Sequence, residues 1–411
     1  MRTIAVLGTF DTKGAEHCFV AEQIRRRGNE ALLVDAGGFG ESQCNADVTR
    51  EQVAAEGGCN LAALRAGNDR GAMVEAMSKA AAKMLVQLAA QGRIQGVISL
   101  GGTGGTAIGT AAMRALPLGF PKVMVSTVAA GNVASYLGVK DIVMFPSIVD
   151  VAGLNRFSRA VFTRAAAVVC ALAEANAAMP IETEARPLIV ASMFGNTTQC
   201  VERARGLLDA TGYEVIVFHA TGAGGRTMES LIESGLVAGV LDITTTEWAD
   251  ELVGGVLNAG PTRLEAAARR GVPAIVTPGC LDMVNFGPPE TVPAKFAGRS
   301  FYPHNPQVTL MRTTPQECAQ LGRILAEKVN LSTGPVTVLL PGRAISVISA
   351  EGEPFHDAAA DAALFTAIKE NLRKDIRLVE FDCAINDNEF AEACAHELIA
   401  NIAAADKGRS A

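Results

Sequence analysis

The opening of this chain is written twice. Residues 4–38 read IAVLGTFDTKGAEHCFVAEQIRRRGNEALLVDAGG, and residues 188–222 read LIVASMFGNTTQCVERARGLLDATGYEVIVFHATG. At one constant offset Phe10 aligns with Phe194, Gly28 with Gly212 and Asp35 with His219, so no gap is needed. Each copy runs through an apolar strand, a polar turn, a helix, a glycine and a second apolar strand. Two such β-α-β openings predict an α/β chain of two similar Rossmann-like parallel-sheet subdomains related by internal duplication. The first is expected over 1–180 and the second over 187–411, with AAMPIETEARP at 177–187 as the linker. The halves correspond further in, where QGVISLGGTGG matches AGVLDITTTE and FPKVMVSTVAAGN matches VPAIVTPGCLDMV. In open α/β sheets ligands sit beyond the carboxyl ends of the strands. The turns GTFDTKG and MFGNTTQ fall at those ends.

Bulk properties narrow the class. The 411 residues are 49% hydrophobic and 19% charged, with 5% aromatics. Runs such as GVISL, KVMVS and TVLLP are continuously apolar, as in parallel strands covered on both faces. The net charge is −7, and no basic stripe points to nucleic acid. No apolar run of about 18 residues free of polar breaks suggests a membrane span, and the chain opens directly on a strand. The nine cysteines contain no C-x-x-C pair, so reduced core thiols in a cytoplasmic protein are expected. Between the second and third strands runs a long connection, roughly 37–72. Its length marks it as a functional or interface loop. The tail DKGRSA is expected to fray.

The strongest local signal is Ser99–Thr106, SLGGTGGT, which follows a strand and opens a helix. Gly101, Gly102, Gly104 and Gly105 leave backbone N–H groups bare at a helix N-terminus, and Thr103 and Thr106 add hydroxyls, a pattern suited to phosphate. The alternative is a purely structural turn. No acid about 20 residues on completes a dinucleotide fingerprint. In GTFDTKG, which is not a P-loop, Thr9, Asp11, Thr12 and Lys13 have the chemistry to contact a ribose, a phosphate or Mg²⁺, with Asp11 as the metal ligand. Otherwise Asp11 or Thr12 caps the next helix. Gly131 and Asn132, after another first-half strand, suit a base or ribose contact, or simply a turn.

In the second half Thr244–Glu247, TTTE, has the spacing of a capping box. Glu247, Asp250 and Glu251 cluster on the helix that follows, fitted for acid–base work, for holding a cation, or for a solvated helical turn. His219 ends a strand and is the best general acid or base among the five histidines; a structural, hydrogen-bonded histidine is the alternative. Arg226 and Arg343 follow glycine-bearing loops and have the chemistry to clamp an anionic substrate. No zinc pattern or nucleophile elbow is present.

GTFDTKG, ISLGGTGGT, MFGNTT, FHATGAGGRTME, DITTTEWADELVGG, TPGCLDMVNFG and LMRTT, in that order, resemble the Tm-1-like ATP-binding family from Thr3 to about Ala404. The resemblance implies two Rossmann-like subdomains, ATP with Mg²⁺ as ligand, and a homodimer. It leads to an ATP·Mg-dependent enzyme or subunit acting on a small anionic metabolite, in a cleft between the halves. A nucleotide-responsive binding module without turnover, and an ATP-independent lyase or hydrolase of a sugar acid, are the alternatives.

Overall fold

The computed structural model describes residues 1–178 and 186–410. The chain divides into two compact units, Met1–Glu182 and Thr183–Ala411. The expected linker lies largely outside the described residues.

The first unit holds five parallel strands: β1 (Thr3–Gly8), β2 (Glu30–Asp35), β3 (Gly96–Gly101), β4 (Lys122–Ser126) and β5 (Val143–Pro146). Their order across the sheet is β2-β1-β3-β4-β5. Strand side chains alternate between faces, and both faces are covered. Ile4, Val6, Ile98 and Val123 meet the helices Phe10–Arg25 and Arg156–Ala178 through Val20, Ile24, Phe162 and Val169. Ala5, Leu7, Val97 and Met124 meet the helices Arg70–Ala90 and Thr103–Arg114 through Met77, Leu85, Ile108 and Met113. Helix Arg156–Ala178 is, by length and composition, long and apolar enough to cross a membrane. Its Val161, Phe162, Ala165, Val169 and Ala173 repeat at helical spacing and are buried against the sheet.

The second unit has a six-stranded parallel sheet and a small antiparallel one. Its strands are β6 (Leu188–Met193), β7 (Glu214–His219), β8 (Val237–Thr244), β9 (Ala274–Gly279), β10 (Met283–Phe286), β11 (Phe301–Asn305), β12 (Val308–Arg312), β13 (Val336–Pro341) and β14 (Arg377–Phe381). The parallel order is β14-β13-β9-β8-β6-β7, and the antiparallel order is β10-β12-β11. In each unit the first strand in sequence therefore lies between the second and third. Gly28 and Gly212 both stand at positive φ, +77° and +95°, where the first helix hands over to the next strand. Glycine adopts that conformation without the Cβ penalty.

Two expectations need correction. The tail from Asp406 does not leave its helix, because Asn388–Ser410 is one continuous element. The cysteines are not all free thiols, since Cys18 and Cys44 form a disulfide while seven others remain free. Short-range spacing could not show that pair. The loop after β2 folds back on the first helix, where the Gln43 N–H donates to the Phe10 carbonyl at 2.8 Å. The antiparallel sheet was not foreseen, because its short strands, one containing Pro303, lack a clear alternating pattern.

Candidate functional site

In the order β2-β1-β3 the chain reverses its winding between β1 and β3. Ligands of open α/β sheets occupy such switch points. A cavity of about 260 Å³ lies there in the first unit. One wall is Thr9, Asp11 and Thr12 after β1, and a second is Gly38–Gly40 after β2. Arg70, Met73 and Val74 come from helix Arg70–Ala90, and Gly104, Gly105 and Ile108 from helix Thr103–Arg114.

The helix Thr103–Arg114 begins at Gly102 with no side-chain cap, and the Thr106 N–H donates to the Gly102 carbonyl at 2.8 Å. The N–H groups ahead of Thr106 have no intrahelical acceptor. A Cβ added at Gly101 would lie 2.7 Å from the Gly105 Cα, so that glycine allows helix and strand to approach. Gly104 differs. A Cβ there would meet only Val74 Cγ2 at 3.7 Å and Arg70 Nη2 at 4.0 Å, leaving its backbone open to the cavity. The Arg70 side chain is exposed and makes no hydrogen bond or ion pair among the described residues.

Asp11 organises the facing wall. Its Oδ2 accepts the N–H groups of Gly38, Phe39 and Gly40 at 3.1, 3.0 and 3.3 Å, while its buried Oδ1 has no partner. Asp11 therefore shapes the β2 loop rather than capping the helix, for which Thr9 is the N-cap residue without a side-chain bond. Thr9 and Thr12 pair through their hydroxyls at 3.0 Å. Asp35, at the end of β2, accepts the Phe10 and Gly37 N–H groups at 3.1 and 2.8 Å and is thus structural.

Thr9, Asp11, Thr12, Gly104 and Gly105 are brought together at the cavity; other proposed contacts are not. Thr106 is buried, with its hydroxyl 2.6 Å from that of Ser126. Thr103 is exposed at the helix start. The Lys13 carbonyl accepts from His17 Nδ1–H at 2.6 Å, at a point where the backbone leaves helical geometry. Asn132 Oδ1 accepts the Ala134 N–H at 3.1 Å, and neither it nor Gly131 lines the cavity. Sequence reasoning missed Arg70 and the Gly38–Gly40 wall. The length of the 37–72 connection was the one signal for them.

In the second unit the polar strand ends turn inward. Thr244–Glu247 is not a capping box, since the N-cap is Thr246 and no side chain caps the helix. The Thr244 hydroxyl pairs with that of Thr197 at 2.7 Å, and the Thr245 hydroxyl donates to the Thr277 carbonyl at 3.0 Å. Glu247 is fully buried. It accepts the Gly222 and Gly225 N–H groups at 2.7 and 3.1 Å and pairs with Arg263 at 2.6 Å. Arg263, also buried, reaches Asp242 at 2.6 Å and Glu229 at 3.1 Å. Burial raises the Glu229 carboxyl despite Arg263.

Asp250 is likewise buried rather than solvated. It accepts the Asn285 N–H at 2.8 Å and the Asn285 Nδ2–H at 2.6 Å, and burial pushes its carboxyl up to about 7. Burial also raises Asp282 to about 6. His219 is exposed at the end of an edge strand, its ring 5.3 Å from that of Phe194. Arg226 donates to the Asn258 carbonyl at 2.8 Å. Arg343 is exposed and paired with Asp382 at 3.0 Å. The loop after His219 wraps Glu247, whereas Arg343 follows β13, two strands from β8.

The fold and the switch-point cavity define a protein of the doubly wound parallel α/β class, built of two such units. The chain belongs to the UPF0261 family. It matches the model "Uncharacterised protein family (UPF0261) N-terminal domain" over 2–178 and the corresponding C-terminal domain over 186–402. A UPF0261 protein of Clostridium tetani is 48% identical over 97% of this chain and 98% of its own length. Another, from Rhizobium meliloti, is 48% identical over 98% and 100%. The ToMV resistance protein Tm-1(GCR237) of Solanum lycopersicum is 41% identical over 79% of this chain and 44% of that protein. The resemblance read from the seven motifs is thereby shown.

Proposed function

We propose that the chain is an ATP-binding protein whose first unit holds the nucleotide in the switch-point cavity. The observation that carries this reading is the convergence at Gly104 of uncapped helix N–H groups and the unpaired Arg70 guanidinium. Both favour a polyanion, the first through the helix dipole and the second through charge-assisted hydrogen bonds. The apolar wall of Met73, Val74 and Ile108 suits a base.

Among the described residues no cluster of three or more His, Cys, Asp or Glu could hold a metal. Magnesium fits as a companion of the phosphates, the manner in which it usually binds, with Asp11 as the carboxylate among the lining residues. The activity we assign is phosphoryl or adenylyl transfer to a small anionic metabolite, resting on positioning and charge neutralisation. Binding without turnover is the second reading. It is favoured by the engagement of Glu247 with Arg263, which ties up the carboxylate expected to do acid–base work. The same engagement weighs against an ATP-independent lyase.

Calorimetric titration with ATP·Mg²⁺ tests the site through Arg70→Ala. Affinity is expected to fall about tenfold or more, the worth of one charge-assisted contact. Absence of ATP binding by the native chain overturns the reading. Incubation with labelled ATP and a metabolite pool separates transfer from binding alone. The homodimer implied by the family is checked by light scattering.

A further inference from the structure

A second cavity of the first unit, about 580 Å³, runs between helices Arg70–Ala90 and Thr103–Arg114, with Ser135 and Tyr136 of the short helix Ala134–Leu137 in its lining. Val74, Ala82, Ala107 and Ala111 give it small apolar walls. Two cations line it. Lys79 is paired with Glu75, the carboxylate of the lining, at 2.6 Å. Arg114 is half-buried and has no carboxylate partner among the described residues.

Three oxygens orient the Arg114 guanidinium. Its Nη1 donates to the Tyr136 carbonyl at 2.5 Å, to the Thr110 hydroxyl at 3.3 Å and, more weakly, to the Ser135 carbonyl at 3.5 Å. All three acceptors belong to residues of the lining, which sets the guanidinium in the cavity wall. Its Nε and Nη2 have no acceptor among the described residues, and neither is shut away from solvent. Partial burial lowers the guanidinium from its usual value, with no neighbouring carboxylate to raise it, and an arginine stays charged at neutral pH.

That open edge is the one with which this chain grips its own carboxylates. Through Nε and Nη2, Arg343 holds both oxygens of Asp382 at 3.0 Å, Arg373 both of Asp375 at 3.0 Å, and Arg377 both of Glu397 at 2.9 Å. Two parallel N–H···O bonds match the planar carboxylate. A partly desolvated charge without a counter-charge is unfavourable, and a bound anion relieves it.

We propose that this groove binds a small carboxylic acid with an apolar body. The carboxylate meets the Nε and Nη2 edge of Arg114, and the body lies along Val74, Ala107 and Ala111. The site is independent of the nucleotide reading, since Val74 is the one residue that lines both this groove and the switch-point cavity.

Benzoate and its neutral isostere benzamide, titrated against the full chain by ligand-observed NMR, form the test. Native protein should bind benzoate, and benzamide roughly tenfold or more weakly, the worth of a charge-assisted contact. Arg114→Gln should bring benzoate down to the level of benzamide, and Arg114→Lys, which keeps the charge without the fork, should fall between. Because Arg114 also holds the Tyr136 carbonyl, a second variant leaves it in place: Ala111→Phe fills the groove and should abolish benzoate binding in a folded protein. Arg70→Ala should bind benzoate as the native chain does. Inorganic phosphate, which lacks the apolar body, should compete more weakly than benzoate itself. Equal native affinities, no benzoate binding, or a folded Arg114→Gln or Ala111→Phe protein that keeps it overturns the proposal. So does loss of benzoate in Arg70→Ala, which would place the probe in the switch-point cavity, and so does phosphate that outcompetes benzoate.

Discussion

Gly104→Asp separates a ligand-binding loop from a structural turn. A Cβ at Gly104 would sit 3.7 Å from Val74 Cγ2 and 4.0 Å from Arg70 Nη2, ordinary contacts that need no backbone shift. An aspartate in the first turn of a helix favours the helix by about 0.3–1 kcal/mol, so the melting temperature should hold or rise. Binding should move the other way. The new carboxylate stands within reach of Arg70 and competes with phosphate for it, and it sets a like charge beside the helix N–H groups. Losing one charge-assisted contact costs about 1.5–3 kcal/mol, a fall of roughly ten- to 150-fold in affinity. Isothermal titration with ATP·Mg²⁺, paired with thermal melts, reads both effects. A folded variant that binds ATP as the native chain does would remove Gly104 and Arg70 from the site and refute the argument.

Arg263→Met should destabilise the second unit by about 3–5 kcal/mol, because it strands buried carboxylates without their counter-ion; a urea midpoint near the native one would contradict this. Asp250 holds its proton up to about pH 7 in the folded chain, while the unfolded chain releases it near the ordinary value of 3.8. Its stabilising contribution is therefore complete below that ordinary value and is lost as pH rises through about 7, by up to about 4 kcal/mol. Asp250→Asn should flatten this loss, and parallel native and variant stability curves between pH 4 and 7.5 would exclude the effect. Cys18→Ser opens a crosslink spanning 26 residues and should cost roughly 3.5 kcal/mol by loop entropy. Alkylation of all nine cysteines in unreduced, denatured protein would show that the disulfide is absent.

Much of this architecture is legible in the residues themselves. Continuous apolar runs of strand length, each followed by a polar or glycine-rich turn, predict buried parallel strands with functional carboxyl ends. The parallel strands, the β-α-β opening of each unit and the place of GTFDTKG and SLGGTGG at the mouth of the first sheet follow from that local pattern. Residue type and spacing carry this information because strand burial and helix starts depend on neighbours a few positions away.

Side-chain partnership does not. Arg70 reaches Gly104 because two crossover helices pack on one face of the sheet. Cys18 finds Cys44 because a loop folds back on a helix. The capping-box spacing of Thr244–Glu247 is locally persuasive, yet burial of Glu247 is satisfied by Arg263 and by N–H groups of the Gly222–Gly225 turn. A buried charge must find its counter-charge and hydrogen bonds wherever the packed chain supplies them. The sequence alone determined the parallel strands and where their ends would lie. The tertiary structure decided which polar groups at those ends remain open to a ligand and which are consumed in holding the fold.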